Sequence, residues 1–484
     1  MRVLFPFLTA FFFVLISSAQ NGITWLDPIK LGSVSDGASS VRIDMLSNGD
    51  PLVMLGQGSG RNIKVIRIVD GIPQSPSFAD KGGLTPRFFS FAGLDMATHA
   101  DSVYIVFESG SNLYLAKSND GGQTFFPPVL AFEPPDNKIA TLSSIEVDDQ
   151  GNPLIATLWE TASEQEARYA TVYSDNGGDS FLPFVVASEP AEGTYVCECC
   201  PSDILMEGDE VFLAFRNNPG NRRDIWVSQS VNNGSTYTSA VDVDDTDWNI
   251  SFCPISKPSI HGYRPDTILV AFHSGASGKG RVYLNYFDRT NQVAGESYQF
   301  PLTSNGSQNS PILAGEGDTL GMVWVENGFS GTGADLMFAL SKTGRKGLEQ
   351  NIGRIAALNQ NQENPALAYH DGFFHLIFTD ASGLWYQKGI VDNSSGIFNP
   401  VANQTSFSVY PQPATGTIFN VAFDEPLLES SIIRLLDIDA KEIQSWAGKV
   451  GSNVAFTLDK IQKGPRILQV VSKKGTQQTV IIFQ

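Results

Sequence analysis

The most reactive side chains of this sequence crowd into one stretch. All four cysteines, Cys197, Cys199, Cys200 and Cys253, fall within it. Arg216, Asn217, Arg222, Arg223 and Asp224 lie among them, with Trp248 and His273 close by. Thiols in such a group have two chemical uses. An even number in an oxidising setting closes disulfides, whereas thiolates can instead hold a soft ion such as zinc or copper(I). Disulfides are the expectation for all four. A bond between adjacent Cys199 and Cys200 would be strained, so Cys253 is expected to pair with one of the upstream three. Arginine offers a planar fork that grips a carboxylate or phosphate by two bonds. Arg216, Arg222 and Arg223 are therefore candidate clamps for an anionic group, or else partners of Asp224 and nearby rim carboxylates. Asn217, Asp224, Trp248 and His273 complete the candidate binding set.

Catalytic candidates are weaker. Glu198, Asp224 and Arg216 have suitable chemistry, and Asp247 and Glu326 add carboxylates. Two-carboxylate hydrolysis depends on a separation that linear sequence does not give. The run Asp242-Val243-Asp244-Asp245-Thr246-Asp247 is rich in oxygen, but lacks the glycine and distal glutamate of an EF-hand loop. It reads as an exposed acidic loop, with calcium as the alternative. The five histidines, His99, His261, His273, His370 and His375, show no metal-ligand spacing. No cofactor is assigned.

These residues need a scaffold, and the scaffold is repetitive. Apolar strands recur about every fifty to sixty residues: Pro51–Leu55, Val103–Phe107, Pro153–Thr157, Val211–Phe215, Ile268–Phe272, Leu320–Trp324 and Phe374–Phe378. Each follows a turn rich in Gly, Asp or Asn, and a third strand follows in step, as in Asn112–Ala116, Tyr169–Tyr173 and Asp224–Ser228. No sustained helical period appears. One such unit cannot bury both faces of its small sheet, but units stacked around a ring can. The expected fold class is therefore all-β, a β-propeller of seven blades, with six left open. Ile23–Ile29 precedes the first repeat and is placed to pair into the last blade and latch the ring. Loops between second and third strands share one face with the inter-blade connections. The candidate residues gather on that face around blades four and five, where propellers place ligands.

The ends of the chain differ from this body. Arg2, the apolar run Val3–Ile16 and small residues Ser17-Ser18-Ala19 form an export signal, residues 1–19. About 14 apolar residues are too few for a bilayer span of roughly 20, and no later stretch is apolar enough to span. From about Thr405 the pattern changes to alternating strands, ending on Thr479–Phe483. The expected organisation is a propeller over 20–403 and a small β-sandwich over 404–484. With 32 basic and 51 acidic residues the net charge is −19, which repels phosphate backbones and excludes nucleic acid as a favoured partner.

Three turns carry a family resemblance. Ser118-Asn119-Asp120-Gly121-Gly122-Gln123-Thr124-Phe125 resembles the Asp-box of bacterial neuraminidase repeats, S-x-D-x-G-x-T followed by an aromatic. Ser174–Phe181 and Ser230–Tyr237 resemble it with Asn in place of Asp. The resemblance implies a sialidase-like propeller in which these boxes are structural turns facing away from the ligand side. C-x-C-C, the Arg-Asn loop ending in Arg-Asp, and W…C-P are similar to a combination found in sialidase-like propellers of bacteria. Sialidases hold a substrate carboxylate with three arginines, the first in an R-I-P motif. Here the nearest match is Val41-Arg42-Ile43-Asp44, with Asp for Pro, and the remaining arginines and the nucleophilic tyrosine cannot be assigned. The tail resembles the sorting domain of the type IX secretion system of Bacteroidetes, through Tyr410-Pro411-Gln412-Pro413-Ala414, Leu435–Asp439 with Lys441, and the apolar last strand. That implies passage across an outer membrane by the type IX machinery, to the medium or cell surface.

The expected function is thus an exported sialidase-like propeller binding an extracellular ligand, a glycan, on the face around blades four and five. An active exo-glycosidase of sialidase type and a non-catalytic structural surface propeller are the alternatives.

Overall fold

The computed structural model describes residues 22–33, 37–58, 62–329, 333–355 and 361–392. In the tail it describes 407–410, 414, 416–427, 432–437, 441–447, 451–460, 462–472 and 475–483. The expected export signal and the expected boundary at 403/404 lie outside these residues. Two compact units are present, one holding nearly all of the chain up to Asn393 and the other Ser394–Gln484.

The first unit is built of antiparallel sheets, seven among the described residues. Their first strands are Ala38–Met45, Leu94–His99, Ile139–Val147, Asp203–Glu207, Ser259–Arg264, Gln308–Glu316 and Glu363–His370. We number the sheets one to seven in that order. Each first strand packs against the first strand of the next sheet, and Glu363–His370 returns to Ala38–Met45, closing the circle. This is a β-propeller.

The apolar runs take the second place in every sheet, and burial explains their composition. Glu210–Arg216, second in sheet four, is buried from Val211 onward. Leu213 and Phe215 pack with Leu154, Leu158 and Tyr169 of sheet three. Phe212 and Ala214 point the other way and pack with Ile268, Val270 and Phe272 of sheet five. Successive side chains alternate faces and both faces are covered, so no polar alternation survives. Ile23–Trp25 and Ile29–Ser33 both pair antiparallel with Gly383–Val391, the third strand of sheet seven. The N-terminal latch is therefore present.

The three Asp-box-like turns share one set of bonds. The amides of Gly122, Gly178 and Gly234 donate to the hydroxyls of Ser118, Ser174 and Ser230 at 3.0, 2.8 and 3.0 Å. The amides of Thr124, Ser180 and Thr236 donate to Asp120, Asn176 and Asn232 at 2.8, 3.0 and 2.9 Å. The second glycine of the turn has φ of +85° at Gly178, and a Cβ there would stand 2.6 Å from Leu115 of sheet two. Glycine answers both demands, the left-handed backbone and the close approach of a neighbouring sheet.

The second unit holds two sheets. One joins Phe407–Tyr410, Ile418–Leu427 and Gly451–Thr457; the other joins Glu442–Ala447, Ile432–Leu436, Gly464–Ser472 and Gly475–Phe483. Phe419 and Phe456 of the first meet Trp446 and Phe483 of the second in one aromatic core. The Pro411-Gln412-Pro413 part of the expected sorting motif lies outside the described residues.

Candidate functional site

The cysteines and arginines predicted from sequence do come together. Cys197–Cys200 sit on the segment entering sheet four, and Cys253 on the segment entering sheet five. Cys197 N–H donates to the Arg216 carbonyl at 3.0 Å, fixing that segment to the end of the second strand. All four Sγ atoms lie within 4.8 Å of one another. Of the two expected disulfides the structure joins one, Cys199–Cys253. Cys197 and Cys200 are buried thiols with their Sγ atoms 3.0 Å apart. Cys197 and Cys200 are buried, while Cys199 and Cys253 are partly exposed. The same group is the cysteine set that could hold a metal.

The three arginines are engaged with groups of the chain itself. Arg216 is fully buried and donates to the carbonyls of Arg223 and His273, the latter at 2.7 Å. Arg223, also buried, reaches Cys197 Sγ at 3.0 Å and both Glu198 oxygens at 3.1 Å. Asn217 donates to the Glu192 carbonyl at 2.8 Å. Asp224 accepts the Trp248 amide at 2.8 Å and pairs with Arg222 at 3.2 Å, and burial pushes its carboxyl upward. Trp248 is buried edge-to-face against His273, with ring centres 5.3 Å apart. Burial, reinforced by the Arg216 charge, lowers the His273 imidazole to about 3, so it is neutral.

Arg222 is the guanidinium of this group that meets solvent, its side chain 33 % exposed. It stands 2.8 Å from Glu192, 3.8 Å from Asp242 and 4.0 Å from Asp247. An incoming anion would compete with these carboxylates and Asp224 together, so Arg222 is poorly placed as a clamp. The acidic run supplies turn bonds: Asp242 accepts the Asp244 amide, and Asp244 accepts the amide and hydroxyl of Thr246. Glu326 is buried and accepts the amides of Thr303 and Ser304 at 2.7 and 2.6 Å, which makes it a loop anchor.

A second group was missed by sequence reasoning. The first strands of all seven sheets line a cavity of about 350 Å³ at the centre of the ring. Asp44, Asp95, Glu146 and Asp203 face it from sheets one to four, with Arg42 from sheet one and Lys257 from the segment entering sheet five. Register places these acids at two levels. Asp44 and Glu146 stand opposite Leu52 and Leu154, each the second residue of the neighbouring strand. Asp95 and Asp203 stand opposite Val106 and Ala214, each the fifth.

The two levels differ in charge. Arg42 donates to Asp95 at 2.7 Å, and Lys257 lies 2.8 Å from Asp203 and 3.9 Å from Asp95. The amides of Ile145 and Ile260 also donate to Asp95 and Asp203, at 3.3 and 2.9 Å. Those carboxylates are matched by cations and amides. At the other level, enclosure in the channel raises Asp44 to about 6. Enclosure raises Glu146 to about 8, helped by the negative charge of Asp44. Of the two, Glu146 holds its proton to the higher pH. A cue existed in the sequence: an acidic residue recurs about every fifty residues in the first strands of the early repeats.

No family model and no curated protein matches the chain. Among solved structures it is similar to the NanB sialidase from Streptococcus pneumoniae, at 11 % identity and a TM-score of 0.41, covering 71 % of this chain and 84 % of that one. It is similar to the alpha-L-arabinanase of Penicillium chrysogenum, at 12 % identity and a TM-score of 0.42, covering 77 % and 99 %. The polysaccharide lyase Uly1 gives 10 % identity and a TM-score of 0.45, covering 75 % and 91 %. At such identities the likeness carries no statement about chemistry.

Proposed function

We propose that the first unit is an exported glycan-binding propeller whose ligand enters the cavity at the ring centre. The observation that carries this reading is the lining of that cavity. It offers Asp95 and Asp203 ion-paired with Arg42 and Lys257 and, one level away, a carboxyl at Glu146 that burial raises to about 8. Charged acceptors and donors set around a cavity of about 350 Å³ suit a hydroxyl-rich ligand, which needs many directed bonds. The sequence expectation of a ligand on the face around sheets four and five shifts inward, because the side chains there are already engaged with one another.

A second reading is favoured by one specific pairing. Glu146 is raised to about 8 and its neighbour Asp44 only to about 6, a division of the kind that general-acid hydrolysis of a glycoside requires. In both readings the export signal and the type IX-like tail carry the protein to the cell surface or the medium.

The test is a glycan array, run beside a panel of fluorogenic glycosides, with the full chain. Binding lost in Lys257→Gln and kept in Arg222→Gln supports the cavity. The reverse pattern returns the ligand to the outer face. Turnover lost in Glu146→Gln with binding retained supports the hydrolase. No binding and no turnover across both panels overturns the proposal.

A further inference from the structure

The cysteine cluster poses a charge problem that a disulfide alone does not solve. Arg216 is completely buried and gives its hydrogen bonds to two backbone carbonyls; among the described residues no carboxylate forms an ion pair with it. Arg223 is buried beside it and pairs with Glu198 at 3.1 Å. Arg223 thus has one ion-paired carboxylate, while Arg216 interacts with Asp224 and Asp244 without an ion pair to either. Arginine does not lose its proton, so further negative charge close to these buried groups is stabilised there. The neighbours are sulfur atoms. Arg223 donates to Cys197 Sγ at 3.0 Å, and Cys200 Sγ lies 3.0 Å beyond that.

The geometry of the sulfurs adds to this. Zinc–thiolate bonds of about 2.3 Å in a tetrahedron set the sulfurs roughly 3.8 Å apart. Here all four fall within 4.8 Å, and Cys197 and Cys199 stand 3.7 Å apart. Cys197 and Cys200 have the C-x-x-C spacing of a zinc knuckle, and Cys253 arrives from the next inter-sheet segment. We propose that the reduced chain holds one zinc-class cation in a closed site of four thiolates, Cys197, Cys199, Cys200 and Cys253, with Arg216 and Arg223 as counter-charges. Four thiolates around a divalent ion leave two negative charges, set beside the two buried arginines, of which Arg223 also pairs with Glu198. With all four positions filled by protein, no place remains for a reacting water, so the ion braces the segments entering sheets four and five.

The joined Cys199–Cys253 pair and the metal site are two states of the same sulfurs. A dithiol reductant converts one to the other: its two thiols become a disulfide while Cys199 and Cys253 each gain a proton. Binding of the cation then releases the thiol protons to solvent.

The full chain, reduced by a dithiol without oxygen, is titrated with cobalt(II) and then with zinc(II). The expected result is one cobalt per chain, with thiolate-to-cobalt charge-transfer bands and tetrahedral d–d absorption, both abolished as zinc displaces it. All four cysteines become resistant to alkylation. Cys197→Ser and Cys253→Ser each weaken zinc binding by more than about 100-fold, and Arg223→Gln, which leaves every sulfur in place, weakens it by about 10-fold. The proposal is overturned if the reduced, folded chain keeps four reactive thiols in the presence of zinc. It is equally overturned if cobalt binds without charge-transfer bands, if Cys197→Ser binds as tightly as the parent, if copper(I) alone is retained, or if reduction unfolds the chain and zinc does not restore it.

Discussion

The Arg216 guanidinium lies 5.3 Å over the ring of Trp248 and donates to the carbonyl of His273. One side chain at the end of a sheet-four strand thereby holds both the segment entering sheet five and that sheet's second strand. The contact is buried and its partners are aromatic and backbone groups, so its consequence is first one of stability.

Arg216→Ala should therefore destabilise the first unit by about 3–5 kcal/mol, because carbonyls and an indole lose their buried partner together. Calorimetry on the full chain checks this. Ligand binding at the ring centre, measured below the melting point, should change little.

Stability should fall as pH rises through the range set by Glu146. Its carboxyl is raised from 4.5 to about 8 in the fold, so between those values the native state holds a proton that the unfolded chain has released. The stabilisation is complete below about 4.5 and is lost as pH rises through about 8. Glu146→Gln should flatten this slope and raise the melting temperature at pH 9 relative to the parent. Melting curves from pH 5 to 9 would show an unchanged slope if the carboxyl titrates normally.

Two glycine substitutions should separate backbone strain from crowding. Gly110 has φ of +64° and open space around its missing Cβ, so Gly110→Ala should cost about 1 kcal/mol. Gly178→Ala adds a clash with Leu115 to a similar φ and should cost about 3 kcal/mol. Equal losses in denaturant titrations would dissociate that turn from the packing of sheets two and three.

Removing the latch should cost solubility as well as stability. Trp25 meets Phe338 edge-on at 5.1 Å, and its strand covers one edge of Gly383–Val391. A chain lacking Ile23–Ser33 exposes that edge, which should recruit other chains. Light scattering should detect assemblies in the truncated protein and none in the parent at equal concentration.

The repeats were legible because burial on both faces imposes one composition on every second strand. Pro153–Thr157, read from the chain, is the core of the observed Pro153–Glu160. The cysteine and arginine group was legible because its members lie close together in sequence. Their role was not, since exposure decides whether an arginine clamps a ligand or holds a carbonyl, and Arg216 and Arg223 are inside. The cavity escaped for a different reason. Asp44, Asp95, Glu146 and Asp203 each look like a lone acid in a strand. Only closure of the ring brings them to one axis.

That closure also sets the order of folding. Ile23 finds its partner at Val391, so the first strand made has no place until the last sheet has been synthesised. Pairing across so long a stretch makes the final step slow, and the unlatched intermediate carries open strand edges while it waits. A chain translated or translocated from its N-terminus would keep those strands unpaired for most of the journey and become a ring only on arrival.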